Sequence, residues 1–81
     1  MKVEVNFFSR LRDIVGAPAL TLDLPEGESL GGLLVRLYDD YPELRRWDAH
    51  LLTAVGLDYA ARVHELNEGD TVSIMPPVQG G

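Results

Sequence analysis

The fold of this chain is decided by one stretch, SLGGLLVRLYDDYP at positions 29–42. Apolar and aromatic side chains recur there at helical spacing, at Leu30, Leu33, Leu34, Leu37, Tyr38 and Tyr41. Ser29 can cap the first turn, and Pro42 cannot continue a helix. Gly31 and Gly32 each weaken the first turn by about 1 kcal/mol relative to alanine, so packing must offset that cost. The stretch predicts one main amphipathic helix.

The residues before this helix predict two strands joined by a short helix. Residues 2–8 alternate, which places Val3, Val5 and Phe7 on one face of a strand and Phe8 on the other. The segment 9–15 has the spacing of a short helix, and residues 20–24 alternate again.

The residues after the helix predict a hairpin and a closing strand. Residues 43–50 form a short helical or irregular connection, and a strand follows at 51–55. Gly56-Leu57 can supply the glycine-first turn of a type II′ hairpin that leads into a short strand near Tyr59. Residues 71–75 alternate with Val72 and Ile74 inward, so Met75 shares the outward orientation of Phe8.

This order of elements predicts an α+β fold. It matches a ubiquitin-like β-grasp, in which a mixed sheet of four to five strands is packed on one main helix. The alternative is a ferredoxin-type sandwich, which needs a second full-length helix near residues 56–66, and that segment does not supply one. We expect a domain over residues 1–75 and a flexible tail over 76–81.

Composition narrows the class of protein. A chain of 81 residues forms one domain that buries only about 60% of its unfolded surface, which leaves little room for a catalytic cleft. The net charge of −6 disfavours nucleic acid and anionic membranes as partners and favours a partner with a basic docking surface. The sequence shows no signal-peptide or membrane-span pattern, so we expect a cytoplasmic protein.

The side chains offer no catalytic or metal-binding pattern. Cysteine is absent, and His50 and His64 have no second ligand at a recognised metal spacing. Ser29 is better explained as a helix cap than as a nucleophile. Lys2 is the only lysine and no phosphate-binding loop is present, so a nucleotide would be bound by a partner. We predict no catalytic residue, no metal and no bound cofactor.

The last six residues carry the functional signal. Pro76 and Pro77 stiffen the exit from the last strand, and Val78 and Gln79 lead to the pair Gly80-Gly81. Because glycines have no side chains, this pair can thread a narrow channel and present the Gly81 carboxylate to another protein. Phe8, Met75 and Tyr59 would form the apolar docking surface beside it.

Four segments resemble the small sulfur-carrier subunits of molybdopterin synthase, the MoaD branch of the ubiquitin-like MoaD/ThiS family: VNFFSRLRDIVG at 5–16, LPEG at 24–27, NEGDTV at 67–72 and PPVQGG at 76–81. The resemblance implies that the first and last strands are parallel neighbours. Family members often carry Asn-Gly where this chain has Gly56-Leu57, so we expect the hairpin turn to differ in type.

The resemblance also implies a mechanism. An adenylating, E1-like activating enzyme would use ATP to join the Gly81 carboxylate to AMP, and a persulfide donor would convert it into a thiocarboxylate. The tail, residues 76–81, would then enter the large catalytic subunit and deliver sulfur to the pterin precursor. The chain would be a non-catalytic carrier subunit.

Three alternatives remain open at this point. A sibling carrier would serve thiamin thiazole synthesis, tRNA thiolation or cysteine synthesis. A ubiquitin-like modifier would be joined to target lysines through Gly81. A non-covalent β-grasp interaction module would leave the Gly-Gly ending unexplained.

Overall fold

The computed structural model describes residues 1–77 and shows five strands, two α-helices and a 3-10 segment. In chain order these are β1 (Lys2–Phe7), α1 (Arg10–Val15), β2 (Ala19–Asp23), α2 (Leu30–Asp40), the 3-10 segment (Pro42–His50), β3 (Leu52–Val55), β4 (Asp58–Tyr59) and β5 (Thr71–Met75). The predicted order of elements is confirmed. Residues 56–66 hold β4 and no helix, which excludes the ferredoxin-type alternative.

The strands form one mixed sheet in the order β2-β1-β5-β3-β4. Strands β1 and β5 are parallel neighbours, with Val5 opposite Val72 and Phe7 opposite Ile74. Strand β2 pairs antiparallel with β1, and β3 pairs antiparallel with both β5 and β4. The last strand therefore lies at the centre of the sheet, where neighbours on both sides hold it.

Helix α2 covers one face of the sheet and closes the core. Its buried side chains recur at the predicted spacing and meet the inward side chains of β1 and β5. The completely covered residues are Val3, Val5, Leu11, Leu30, Leu33, Leu37 and Val72. Because α2 covers only one face, the outward side chains of the strands stay available to a partner.

Close packing at the start of α2 accounts for its two glycines. Ser29 caps the helix by accepting a hydrogen bond from the Gly32 N–H at 3.1 Å. The Gly31 N–H donates to the Arg62 carbonyl at 2.8 Å, and a methyl group on Gly31 would lie only 3.2 Å from that oxygen. A methyl group on Gly32 would overlap the Glu28 carboxylate. The two glycines lower the helix propensity, but without side chains Gly31 leaves room for the loop after β4 and Gly32 leaves room for the Glu28 carboxylate.

A polar network ties α2 to the 3-10 segment and to the loop after β4. The Tyr38 hydroxyl donates to the Asp48 carboxylate, and the Arg62 guanidinium donates to the same carboxylate at 2.6 Å. The hydrogen bonds from Tyr38 and Arg62 lower the pKa of Asp48, whereas burial and the bond to Asp48 raise the pKa of Tyr38. The network therefore holds Asp48 as a carboxylate and Tyr38 as a neutral phenol.

Within residues 1–77, no helix has the length and apolar character needed to cross a bilayer.

Candidate partner-docking surface

The face of the sheet opposite α2 carries a shallow apolar depression of about 270 Å³. Its large apolar side chains are Phe8, Leu57, Tyr59 and Met75, which we call the outer-face patch. Phe8 is 46% exposed, Tyr59 is 76% exposed and Leu57 is fully exposed, whereas Met75 is partly buried. An apolar cluster of this kind on a small protein is a candidate site for binding another protein.

Strand register explains why these side chains converge. Phe7 and Ile74 lie opposite each other in the core, so the next residues along the two parallel strands, Phe8 and Met75, turn outward together. Ala54 pairs with Tyr59, which brings the Tyr59 ring onto the same face. The structure thus brings together the three side chains that the sequence pattern selected.

The β3–β4 hairpin fixes the position of Tyr59. Val55 pairs with Asp58, so the loop contains only Gly56 and Leu57. Gly56 has a φ of 60°, and Leu57 is not among the residues with positive φ, which fits the predicted glycine-first turn and excludes a type I′ turn. The Ala60 N–H donates to the Thr53 carbonyl at 3.0 Å and continues the hairpin past Tyr59.

Leu57 is the patch residue that the sequence analysis missed. The sequence predicts only a turn position for it, yet its side chain extends the patch at the tip of the hairpin. The sequence does contain a signal for this role of Leu57, because a two-residue turn usually carries glycine or a small polar residue. Because it lies beside three other apolar side chains, this exposed leucine is a candidate for contact with another molecule.

The predicted tail begins beside the outer-face patch. Pro76 and Pro77 continue directly from β5, are partly buried and belong to no helix or strand. Val78, Gln79, Gly80 and Gly81 lie outside the described residues, and the predicted covalent site is among them. The chain therefore leaves the sheet at Met75, which is itself a patch residue.

The remaining polar residues match a surface role. His50 and His64 are exposed, as are Asp39 and Asp40, and Asp40 accepts a hydrogen bond from Arg36. Across residues 1–77, no group of three or more His, Cys, Asp or Glu side chains could hold a metal ion. Among the described residues, those that line the depression include no carboxylate, amine or imidazole.

This sheet, crossed by one helix on one face and carrying an apolar patch at one end of the other, defines a ubiquitin-like β-grasp protein. Two solved structures are highly similar to it. The putative molybdopterin converting factor subunit 1 from Pyrococcus furiosus has a TM-score of 0.88 and 29% identity, and the match covers 96% of this chain and 99% of that one. SAMP1 from Haloferax volcanii has a TM-score of 0.88 and 25% identity, with both chains fully covered.

Sequence comparison assigns the chain to one family among the proteins with this fold. The model of the ThiS family matches residues 5–81, and the chain belongs to that family. A molybdopterin synthase sulfur carrier subunit from Escherichia coli is 35% identical over 81 residues, a match that covers 98% of this chain and 99% of the relative. Five further curated relatives, from Arabidopsis thaliana to Caenorhabditis elegans, have the same name.

Proposed function

We propose that this chain is the sulfur carrier subunit of a molybdopterin synthase. One observation carries the proposal: the similarity to proteins of that name extends over essentially the full length of both chains, and the family model matches through residues 80–81. The apolar outer-face patch at the start of the tail supports the same reading, because a carrier must dock while its last residues enter another protein.

The proposed reactive group is the carboxylate of Gly81. A carboxylate resists nucleophilic attack because oxide is a poor leaving group, so a carboxylate oxygen first attacks the α-phosphorus of ATP and releases pyrophosphate. The terminal sulfur of a persulfide then attacks the carbonyl carbon and expels AMP. A thiol cleaves the resulting S–S bond, which leaves a Gly81 thiocarboxylate and a disulfide.

The chain itself supplies no catalytic group in this scheme. An E1-like activating enzyme binds the ATP and a separate protein donates the persulfide, so this chain holds no cofactor. Six residues follow Met75 and can extend up to about 20 Å, enough to reach a buried site in the large subunit while the outer-face patch docks outside. There the thiocarboxylate donates sulfur to the pterin precursor. The cytoplasmic location expected from the sequence stays a prediction.

The experiment that tests this proposal is intact mass measurement. The chain is incubated with ATP, an activating enzyme and a persulfide donor, and we expect one oxygen to be replaced by sulfur. The matched control lacks Gly81 and should gain no sulfur while unfolding at nearly the same temperature, because a chain terminus contributes little burial. Sulfur on the truncated chain, or none on the parent, contradicts the proposal.

A second function is favoured by the similarity to SAMP1 from Haloferax volcanii, which is named as a small archaeal modifier protein. A modifier shares the adenylation step but ends as an amide bond between Gly81 and a lysine of a target. Peptide mass spectrometry of cell extracts distinguishes the two, because only the modifier leaves a Gln-Gly-Gly remnant on target lysines after suitable digestion. Carriers for thiamin thiazole, tRNA thiolation or cysteine synthesis remain alternatives that differ in the acceptor of sulfur.

A further inference from the structure

A second concave surface adjoins the start of the tail. It consists of two adjoining cavities that share Arg10 and Trp47. One, of about 210 Å³, is lined by Ser9, Arg10, Trp47, Pro76 and Pro77. The other, of about 410 Å³, is lined by Arg10, Ile14, Glu43, Arg46, Trp47 and His50. We call the combined surface the Trp47 cleft.

The Trp47 cleft is formed by the part of the chain where cations are concentrated. Residues 10–15 and 42–50 carry four of the seven Lys and Arg residues but only three of the thirteen acids. One of those acids, Asp48, is already engaged by Tyr38 and Arg62. The rest of the chain has ten acids against three cations, so an otherwise acidic surface has a local basic region here.

The two arginines that line the Trp47 cleft are available to a partner. Arg10 and Arg46 are exposed, and neither forms an ion pair with any residue between positions 1 and 77. Among the residues that the structure describes, Glu43 is the one acid that lines the cleft. Guanidinium groups present planar sets of N–H donors that match carboxylates, and the partly buried Trp47 ring adds an apolar wall to both cavities.

The Trp47 cleft is continuous with the outer-face patch along the chain. Phe8 belongs to the patch and Ser9 to the cleft, and Met75 belongs to the patch and Pro76 to the cleft. A partner that covers the patch and encloses the tail from Pro76 onward therefore also reaches Arg10 and Trp47.

We propose that the Trp47 cleft receives an acidic segment of the large subunit that accepts the tail. The inference rests on the proposed function and adds a second, charged half to the docking surface. The net charge of −6 led us to expect a basic partner surface, but at the cleft the complementary charge is negative. A charged half beside an apolar half of the interface would set the orientation in which the partner docks.

The test compares two double variants of equal net charge. Arg10→Glu/Arg46→Glu reverses the cleft, and Lys2→Glu/Arg36→Glu reverses two cations near Asp23; each changes the net charge from −6 to −10. The control site is the far end of the sheet, where β1 begins. Binding to the purified large subunit is measured at ionic strengths of about 10 mM and about 1 M, between which the Debye length falls from about 30 Å to about 3 Å.

We expect the cleft variant to bind about 10-fold more weakly at low ionic strength, mainly through slower association, with most of the difference lost at high salt. The control variant should bind within about threefold of the parent. Arg10→Gln/Arg46→Gln should show a smaller loss in the same direction, and it provides the measurement if the glutamate variant does not fold.

Five results would overturn the inference. Equal losses in the cleft and control variants would assign the effect to net charge. Tighter binding by the cleft variant would indicate that the chain's own terminal carboxylate occupies the cleft. If the parent is a dimer and the substitutions dissociate it, the cleft would be the binding site of a second copy of this chain. Unchanged binding of the cleft variant refutes only the docking role of the Trp47 cleft. A parent that does not bind the large subunit refutes the proposed function as well.

Discussion

Replacing Tyr59 with alanine should separate docking from folding. Tyr59 is 76% exposed, so about a quarter of its surface contributes to the free protein and the remainder is available to a partner. A buried aromatic side chain covers about 200 Å², so about 50 Å² is already buried and about 150 Å² remains. If about 100 Å² of that remainder is apolar and becomes covered, docking loses about 2.5 kcal/mol, which corresponds to roughly 70-fold in affinity.

The same arithmetic predicts a small effect on folding. The quarter of Tyr59 that is buried in the free chain corresponds to about 1 kcal/mol of unfolding free energy. Affinity is measured by titration calorimetry against the large subunit, and stability by urea unfolding. Tyr59→Phe should keep most of the affinity, because the apolar ring rather than the hydroxyl supplies the energy.

Val63→Ala is the matched control. Val63 is 89% exposed and does not line the outer-face patch, so its truncation should leave both affinity and stability within about 0.5 kcal/mol of the parent. The reasoning is refuted if Tyr59→Ala binds within about threefold of the parent, or if it loses more unfolding free energy than binding free energy.

Three further predictions concern strain, the polar network and the tail. Ser9 has φ 58° and ψ −130°, a conformation that glycine adopts easily, so Ser9→Gly should raise the free energy of unfolding in urea by about 1 kcal/mol. Tyr38→Phe removes a hydrogen bond to the Asp48 carboxylate and should lower that free energy by about 1 kcal/mol at pH 7. Because the folded-state pKa of Asp48 is lowered, the bond stabilises the protein above the usual aspartate pKa of about 4, and the difference between parent and variant should shrink as unfolding is repeated at lower pH. Gly80→Ala should reduce sulfur delivery in single-turnover assays more than it reduces affinity for the large subunit, since a methyl group obstructs a narrow channel; equal turnover would refute that role.

Local patterns were sufficient to predict the helices and strands, whereas the parallel pairing of the first and last strands followed from the family resemblance. A period of two residues placed Phe8 and Met75 on the outward face, and the helical spacing selected the buried side of α2. The glycine-first turn placed Tyr59 beside them, because a two-residue loop leaves only one register for the hairpin.

Contacts between distant segments were not predictable in this way. Tyr38, Asp48 and Arg62 belong to three different elements, and their network depends on how the loop after β4 packs on α2. The Trp47 cleft likewise requires α1, the 3-10 segment and the residues after β5 to meet. Contacts between distant segments leave no periodic pattern in the sequence. The backbone strain at Ser9 was not predictable either, because serine is not a residue type that marks such a conformation.

The contact between the loop after β4 and the start of α2 has a consequence for hydrogen exchange. The first amides of a helix normally lack partners within it and exchange quickly with solvent. Here the Leu30 and Gly31 amides donate to the carbonyls of His64 and Arg62, each at 2.8 Å. These two protons should therefore exchange slowly despite their terminal position, and only when the loop lifts away. Their exchange rates would report the opening of that loop directly, in the free protein and in any complex.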